Sequence, residues 1–442
     1  MAETPSKKVS PTKGLRGEIT VPGDKSISHR AVIFGSIADG RTEINGFLEG
    51  EDNLATVSAF RKMGVEIRRP SGGRLVIKGV GLDGLKEPDD VIDCANSGTT
   101  ARLLAGLLSA QRFFSVITGD ESLRKRPMKR LTLPLGKMGA DITGRRGGAF
   151  LPLAISGKGL SGIRYGMEIA SAQVKSSLLL AGLYAKGSTI ITEPEKSRDH
   201  TERMLRRFAA PVRSDGNTVE IKKARSLKGC RMEVPGDISS AAFFMVAAVI
   251  TPSSEILIKV VGTNPTRCGI IDILRKMGAA IELINVEDND EPTADIVVRS
   301  SRLKGVSVSG AELLSAIDEF PILCVAAAFA DGMTSIRGAG ELRVKESDRI
   351  AVMAGSLKKI GVRVKELKDG IIIEGAGSAG WMAGKAGRVG GGIIESRGDH
   401  RIAMSMAVAG LASKRGVEIK GAGCVDVSYP GFFKYIDEVR LD

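Results

Sequence analysis

The chain is poor in aromatic residues, histidine and cysteine, and each shortage removes a class of function. Phe, Trp and Tyr make up 4% of its 442 residues, and Trp381 is its one tryptophan. Stacking platforms for single-stranded nucleic acid need more aromatic surface than this. The five cysteines, Cys94, Cys230, Cys268, Cys324 and Cys424, are odd in number and form no C-x-x-C pair. Free thiols in a reducing compartment follow from that pattern, and a cytoplasmic location is expected. The three histidines, His29, His200 and His400, each lie within two residues of an arginine and read as structural. No His, Cys and carboxylate cluster has metal-ligand spacing, so neither a metal nor another cofactor is expected. The chain has no HExxH, no G-x-x-x-x-G-K-[ST] and no G-x-S-x-G. No apolar run reaches 18 residues, so no membrane span is expected. The opening MAETPSKKVSPTKG lacks the apolar centre of a secretory signal and reads as a short disordered arm. Gly375–Gly380 (GAGSAG) matches G-x-G-x-x-G by letter, but the WMAGKAG that follows starts a helix poorly. A glycine-rich hairpin loop is the reading there.

Glycine and positive charge are abundant. Fifty-five glycines imply many turns, and a formal net charge of +13 favours an anionic partner. The basic residues are dispersed among acid-bearing motifs such as LRKRPMKR (123–130), KSRDHTER (196–203) and RVKESDR (343–349). That arrangement favours a small, multiply charged metabolite over nucleic acid. The length suggests two domains.

Two phrases alternate along the chain. The first is a helix end, mostly basic, running into Met-Gly and a β-branched residue: FRKMGVEI (60–67), LGKMGADI (135–142), LRKMGAAI (274–281) and LKKIGVRV (357–364), with a degenerate LRRFAAPV (205–212). Glycine there accepts a left-handed helix cap before a strand. The second is a polar start, an Ala- and Leu-rich helix, a break and a β-branched strand. Its copies begin near Ser26, Ser97, Ser171, Ser239, Ile317 and Asp399. These helices are apolar nearly all round and are expected to be buried. VPGDKSIS (21–28) and VPGDISSA (234–241) nearly match, and each is read as opening a set of three units. The expected lobes are 21–233 and 234–442, with the arm 1–20 packing on the second. The cleft between two such lobes is the expected binding site.

If the units are alike, the polar starts of the buried helices are gathered at one end. Those starts carry Lys25, Ser26 and Arg30; Asn96, Ser97, Gly98 and Thr99; Ser171, Ala172 and Gln173; Asp237 and Ser239; Asp318 and Glu319; and Asp399, His400 and Arg401. Helix N-termini carry partial positive charge and unpaired N–H groups, which suits an anionic ligand.

Several of these stretches together resemble the 5-enolpyruvylshikimate-3-phosphate synthase family, the 3-phosphoshikimate 1-carboxyvinyltransferases. They are GDKSISHRA, the N-S-G-T-T-x-R run at 96–102, the R-P-M of 126–128, SAQVKS at 171–176, IDEFP at 317–321, LRVKESDR at 342–349 and DHRIAM at 399–404. The order is the family's and the match spans nearly the whole chain. SRDHTERML at 197–205 is similar to the family's second, glyphosate-tolerant class. The resemblance implies the enolpyruvyl transferase fold, a two-lobed inside-out α/β barrel with three βαβαββ repeats per lobe. It also implies transfer of the enolpyruvyl group of phosphoenolpyruvate to the 5-hydroxyl of shikimate 3-phosphate, with release of phosphate.

By the same motif matches, Lys25 lies between both substrates, and Ser26, Arg30 and Lys345 hold shikimate 3-phosphate. Ser171, Ala172, Gln173 and Arg198 cradle its phosphate and ring. Asn96 belongs to the substrate-binding set, Gly98 and Arg126 hold the phosphoenolpyruvate phosphate, and Arg349 and Arg401 clamp its carboxylate. Asp318 is the implied base at the attacking hydroxyl and Glu346 the implied proton exchanger at C3. Two plainer alternatives stand beside these: Asp318 as a helix cap, and Glu346 as an ion partner of Lys345 and Arg349.

The chain departs from first-class members at Asp426-Val427-Ser428-Tyr429-Pro430, where no lysine precedes the aromatic-Pro pair. Gly98 is glycine where an alanine would crowd glyphosate, a possible inhibitor. The nearest rival is UDP-N-acetylglucosamine enolpyruvyl transferase, which has Lys-Asn where this chain has Lys25-Ser26 and a cysteine on a mobile loop; segment 120–130 has none. The distant rival is a nucleic-acid-binding module. A monomer with small-molecule substrates and no nucleic-acid or membrane partner is expected.

Overall fold

The computed structural model describes residues 6–377 and 389–441. The end of GAGSAG and Trp381 lie outside the described residues, so the hairpin reading there has no structural counterpart. The chain folds into two compact units. One is Gly23–Val234; the other joins the described residues up to Pro22 to those from Pro235 onward.

Six apolar helices fill the two cores: α1 (Lys25–Ile37), α2 (Gly98–Leu108), α3 (Ala172–Gly182), α4 (Ile238–Ile250), α5 (Phe320–Ala328) and α6 (His400–Ala412). Every residue of α4 and α5 is buried, as expected of helices without a polar face. Their starts follow local chemistry. In the two VPGD turns, Asp24 accepts a hydrogen bond from the Ile27 N–H at 2.8 Å, and Asp237 from the Ser239 N–H at 2.8 Å. Ser97 caps α2 through the Thr100 N–H, and Asp399 caps α6 through the Arg401 N–H. Close approach of α2 and α3 requires Gly106, because a methyl there would overlap the Ser177 carbonyl oxygen.

Among the described residues each unit wraps its three core helices in three sheets. In the Gly23–Val234 unit all three sheets have four strands in one pattern. The strand before a core helix runs parallel to the strand after it, and the latter pairs antiparallel with a hairpin. The middle sheet shows it in sequence: Ile92–Asp93, α2, Phe114–Thr118, a surface helix Lys129–Lys137, then Asp141–Gly144 and Phe150–Ser156. That is a βαβαββ unit, and Arg164–Gly166 opens the next. The first unit borrows its leading strand from Arg231–Glu233, which pairs parallel with Asp39–Asn45.

The second unit borrows from the other end of the chain, and this corrects the reading of the N-terminal arm as disordered. Gly14–Ile19 pairs parallel with Glu255–Gly262, and Lys7–Val9 pairs antiparallel with Val417–Ile419. Local composition hides this because the arm's hydrogen bonds go to partners hundreds of residues away.

The Met-Gly phrases are helix ends as read. Gly64, Gly139, Gly278 and Gly361 have φ of +85°, +95°, +100° and +88°. In the degenerate copy Ala209 takes the same left-handed conformation, φ +60°, without glycine's freedom. Among the described residues no helix is long and apolar enough to cross a membrane.

Candidate functional site

Polar side chains interlock the starts of the core helices within each unit. In the Gly23–Val234 unit, His29 of α1 meets the Thr56 hydroxyl at 2.7 Å, and Thr56 meets Thr100 of α2 at 2.7 Å. Gln173 of α3 donates to Thr99 of α2 at 3.0 Å and accepts from Arg102 at 2.8 Å. Arg30 of α1 donates from Nε to Thr201 at 2.6 Å, from Nη1 to the Ser26 carbonyl at 2.9 Å and from Nη2 to Ser176 of α3 at 2.8 Å. The three helices therefore begin at one end, and their starts gather Lys25, Ser26, Arg30, Gly98, Ala172 and Gln173.

Around that end stand further cations. Lys25 is ion-paired with Asp52, which lies in the first turn of the helix Glu51–Lys62. Arg126 donates to Asn96 Oδ1 at 2.6 Å, and Asn96 donates in turn to Asp120 at 2.6 Å. A methyl on Gly98 would meet Arg102 Nη1 at 2.7 Å and Arg126 Nη1 at 3.4 Å, so this glycine lies against two guanidinium groups. Ser171 holds the cap position of α3, with Arg198 in the loop preceding the helix His200–Arg207. That loop is tied to the core. Lys175, 1% exposed, sits between Glu193 at 2.6 Å and Glu202 at 2.7 Å, and the Ser197 hydroxyl donates to Glu193. Burial holds the Glu202 carboxyl above its ordinary range, with Lys175 opposing the shift.

The second unit repeats the device with more acid. Arg401 of α6 donates to the Asp318 carbonyl at 2.9 Å and to Ser239 of α4 at 3.4 Å. Arg349, 2% exposed, is the hub. Its Nε donates to Asp399 at 2.8 Å and its Nη2 to Glu346 at 2.6 Å, while Nη1 lies 3.7 Å from Asp318. Burial works against the charge on this guanidinium, yet Asp399, Glu346 and Asp318 together hold it protonated. Lys345 lies 3.5 Å from Glu341. Glu319, not Asp318, holds the cap position of α5.

Ten of the residues singled out in the sequence thus belong to the Gly23–Val234 unit: Lys25, Ser26, Arg30, Asn96, Gly98, Arg126, Ser171, Ala172, Gln173 and Arg198. Five belong to the other: Asp318, Lys345, Glu346, Arg349 and Arg401. The first set is rich in cations, and the second pairs Arg349, Arg401 and Lys345 with carboxylates; guanidinium and ammonium groups beside helix starts suit phosphate and carboxylate.

The model of the EPSP synthase family, 3-phosphoshikimate 1-carboxyvinyltransferase, matches residues 9–436. The chain belongs to this family. It is 56% identical over 432 residues to the 3-phosphoshikimate 1-carboxyvinyltransferase of Geobacter metallireducens, covering 98% of each chain. Against the enzyme of the same name from Geobacter sulfurreducens the identity is 55%, again over 98% of each. A solved EPSP synthase from Acinetobacter baumannii superposes with a TM-score of 0.87 at 49% identity, covering 99% of this chain and 98% of that one. The fold is accordingly the two-domain α/β enolpyruvyl transferase fold. The chain is a transferase of the shikimate pathway that acts on small molecules, moving the enolpyruvyl group of phosphoenolpyruvate to shikimate 3-phosphate and releasing phosphate.

Reading one motif at a time carried Arg102, Lys175 and Glu202 inside quoted runs without giving them a role, and missed Asp52, Glu193 and Arg267 altogether. Two of them carried a signal. Arg102 in TTARLLAGLL and Lys175 in QVKSSLLL are lone charges in helices otherwise apolar, and a buried charge needs a partner. The remaining four are ordinary surface letters until the fold buries them.

Proposed function

We propose that the two clusters divide the reaction: the Gly23–Val234 set holds shikimate 3-phosphate and the donor's phosphate, and the second set supplies acid, base and carboxylate clamp. In the first set, Lys25 serves both substrates. Ser26, Arg30, Ser171, Ala172, Gln173 and Arg198 hold shikimate 3-phosphate, while Asn96, Gly98 and Arg126 receive the phosphate of phosphoenolpyruvate. In the second, Arg349 and Arg401 orient the carboxylate and Lys345 reaches shikimate 3-phosphate. Asp318 takes the proton of the 5-hydroxyl as its oxygen bonds to C2, and Glu346 delivers a proton to C3. The tetrahedral intermediate then loses phosphate from C2, and Glu346 takes back a proton from C3 as the double bond re-forms in the enol ether product.

One observation carries the assignment: Asp318 and Glu346 meet on one guanidinium, that of Arg349, at 3.7 and 2.6 Å. Both carboxylates thus lie against one positive charge, which places an acid and a base candidate side by side. Nε and Nη2 of Arg349 already serve Asp399 and Glu346, so its Nη1 edge is the part offered to the carboxylate, alongside Arg401.

The test is phosphate release from phosphoenolpyruvate that depends on shikimate 3-phosphate. Asp318→Asn is expected to lower turnover by about 10²–10⁴-fold, the usual yield of general-base catalysis, with shikimate 3-phosphate affinity little changed. Preserved turnover rules out the base role.

We also infer membership of the second, glyphosate-tolerant class, a cytoplasmic location and a monomer. SRDHTERML and the absence of lysine at Asp426–Pro430 support the class. At that segment Tyr429 is fully buried against Phe244 and Phe432.

A further inference from the structure

We propose that Glu319 is a positioning residue for Arg401, and through it for recognition of the donor's carboxylate; this rests on the reading of Arg401 as the carboxylate clamp. Glu319 stands at the cap position of α5 but makes no cap hydrogen bond with its side chain. It is 1% exposed, so its carboxylate must be compensated from within the core. Its Oε1 accepts the Ser239 hydroxyl and lies 3.7 Å from both Arg401 Nη1 and Arg267 Nη2. Arg267 is itself buried and donates to Ser239 at 2.7 Å and to Asp237 at 3.4 Å.

The arrangement fixes one edge of Arg401 from three sides. The Asp318 carbonyl and the Ser239 hydroxyl each take a directed hydrogen bond, and Glu319 supplies the opposing charge behind them. A guanidinium has five N–H donors in a rigid plane. Two are spent on these contacts, which sets the plane and leaves the others for a bidentate grip on a carboxylate. Ser239, Glu319 and Arg401 come from the starts of α4, α5 and α6, so the network sets Arg401 relative to Asp318 in the same stroke. Arg267 balances Asp237 and keeps Ser239 turned so that its proton goes to Glu319.

Steady-state kinetics of Glu319→Gln, with each substrate varied in turn, tests this. The amide keeps shape and can still accept from Ser239, but it removes the charge that holds Arg401. The expected result is a KM for phosphoenolpyruvate raised about tenfold, a KM for shikimate 3-phosphate within about twofold of wild type, and a smaller change in kcat. A role confined to packing lowers the melting temperature and leaves both KM values of the folded enzyme alone. An unchanged or lowered KM for phosphoenolpyruvate overturns the proposal. Should Glu319→Gln not fold, Glu319→Asp keeps the charge one methylene further away and is read by the same KM ratio, with a rise of about threefold expected and an unchanged ratio counting against the idea. Arg401→Lys separates the two readings. If it leaves the phosphoenolpyruvate KM untouched, the carboxylate clamp itself falls. If it raises that KM while Glu319→Gln does not, the positioning role alone falls.

Discussion

Replacing Lys175 by methionine should be among the most damaging single changes in the Gly23–Val234 unit. Lys175, Glu193 and Glu202 are 1–2% exposed at their side chains, and the ammonium is 2.6 and 2.7 Å from the two carboxylates. Methionine matches the length of the stem, so packing is largely kept. What disappears is the cation, and two buried carboxylates are left facing each other. Removing one partner of a buried pair costs about 3–5 kcal/mol. For a unit of about 200 residues each kcal/mol moves the melting point by about 2–4 °C, so a fall of about 6–20 °C is expected. Scanning calorimetry of the full chain reads it directly. The pH dependence supplies a second check. Burial already raises the Glu202 carboxyl, and Lys175 restrains that shift. Without the lysine the folded-state pKa rises further above its unfolded value. A carboxyl raised in this way favours the native state as pH falls through the folded pKa, so the deficit should shrink from pH 8 to pH 5. Adding Glu193→Gln and Glu202→Gln to the variant should recover most of the loss. A single variant melting within 2 °C of wild type at pH 8 would refute the reasoning, since the lysine could not then be compensating two charges (about 1 kcal/mol at most).

Two further outcomes follow from the same geometry. Burial, reinforced by Lys25 and Arg30 and opposed by Asp52, lowers the pKa of His29 to about 3. Its unfolded value is near 6.5, so the unfolded chain binds a proton that the native state refuses; stability is full above that value and is lost as pH falls toward the folded pKa. Relative to His29→Gln, wild type should lose about 2 kcal/mol between pH 6.5 and pH 5 in urea titrations, and a difference that does not vary with pH contradicts a buried neutral imidazole. Gly98→Ala places a methyl 2.7 Å from Arg102 Nη1, so that guanidinium must give way, and brings it into van der Waals contact with Arg126 Nη1 at 3.4 Å. The KM for phosphoenolpyruvate and the glyphosate inhibition constant should both rise, the latter by more, and an unchanged inhibition constant means that this position does not govern tolerance.

Much of the architecture is local and was therefore legible in the residues alone. A helix apolar all round, an Asp or Ser cap before it and a glycine after it are decided within a few residues, by backbone geometry and by the burial of each side chain. Hence the six core helices begin near Ser26, Ser97, Ser171, Ser239, Ile317 and Asp399, as the repeated phrases imply, and GDKSISHRA, the 96–102 run, SAQVKS, IDEFP and DHRIAM lie at five of those starts. Three matters needed the tertiary structure. The N-terminal arm became two strands because Gly14–Ile19 and Lys7–Val9 find partners at Glu255–Gly262 and Val417–Ile419. Lys175 and Arg349 became hubs because folding set carboxylates from distant segments around each of them. Glu319, in the sequence only one polar residue at a helix start, became the buried charge behind Arg401, and it rather than Asp318 stands at the cap position of α5. Electrostatic energy depends on separation in space and on burial, and neither is carried by the order of residues along the chain.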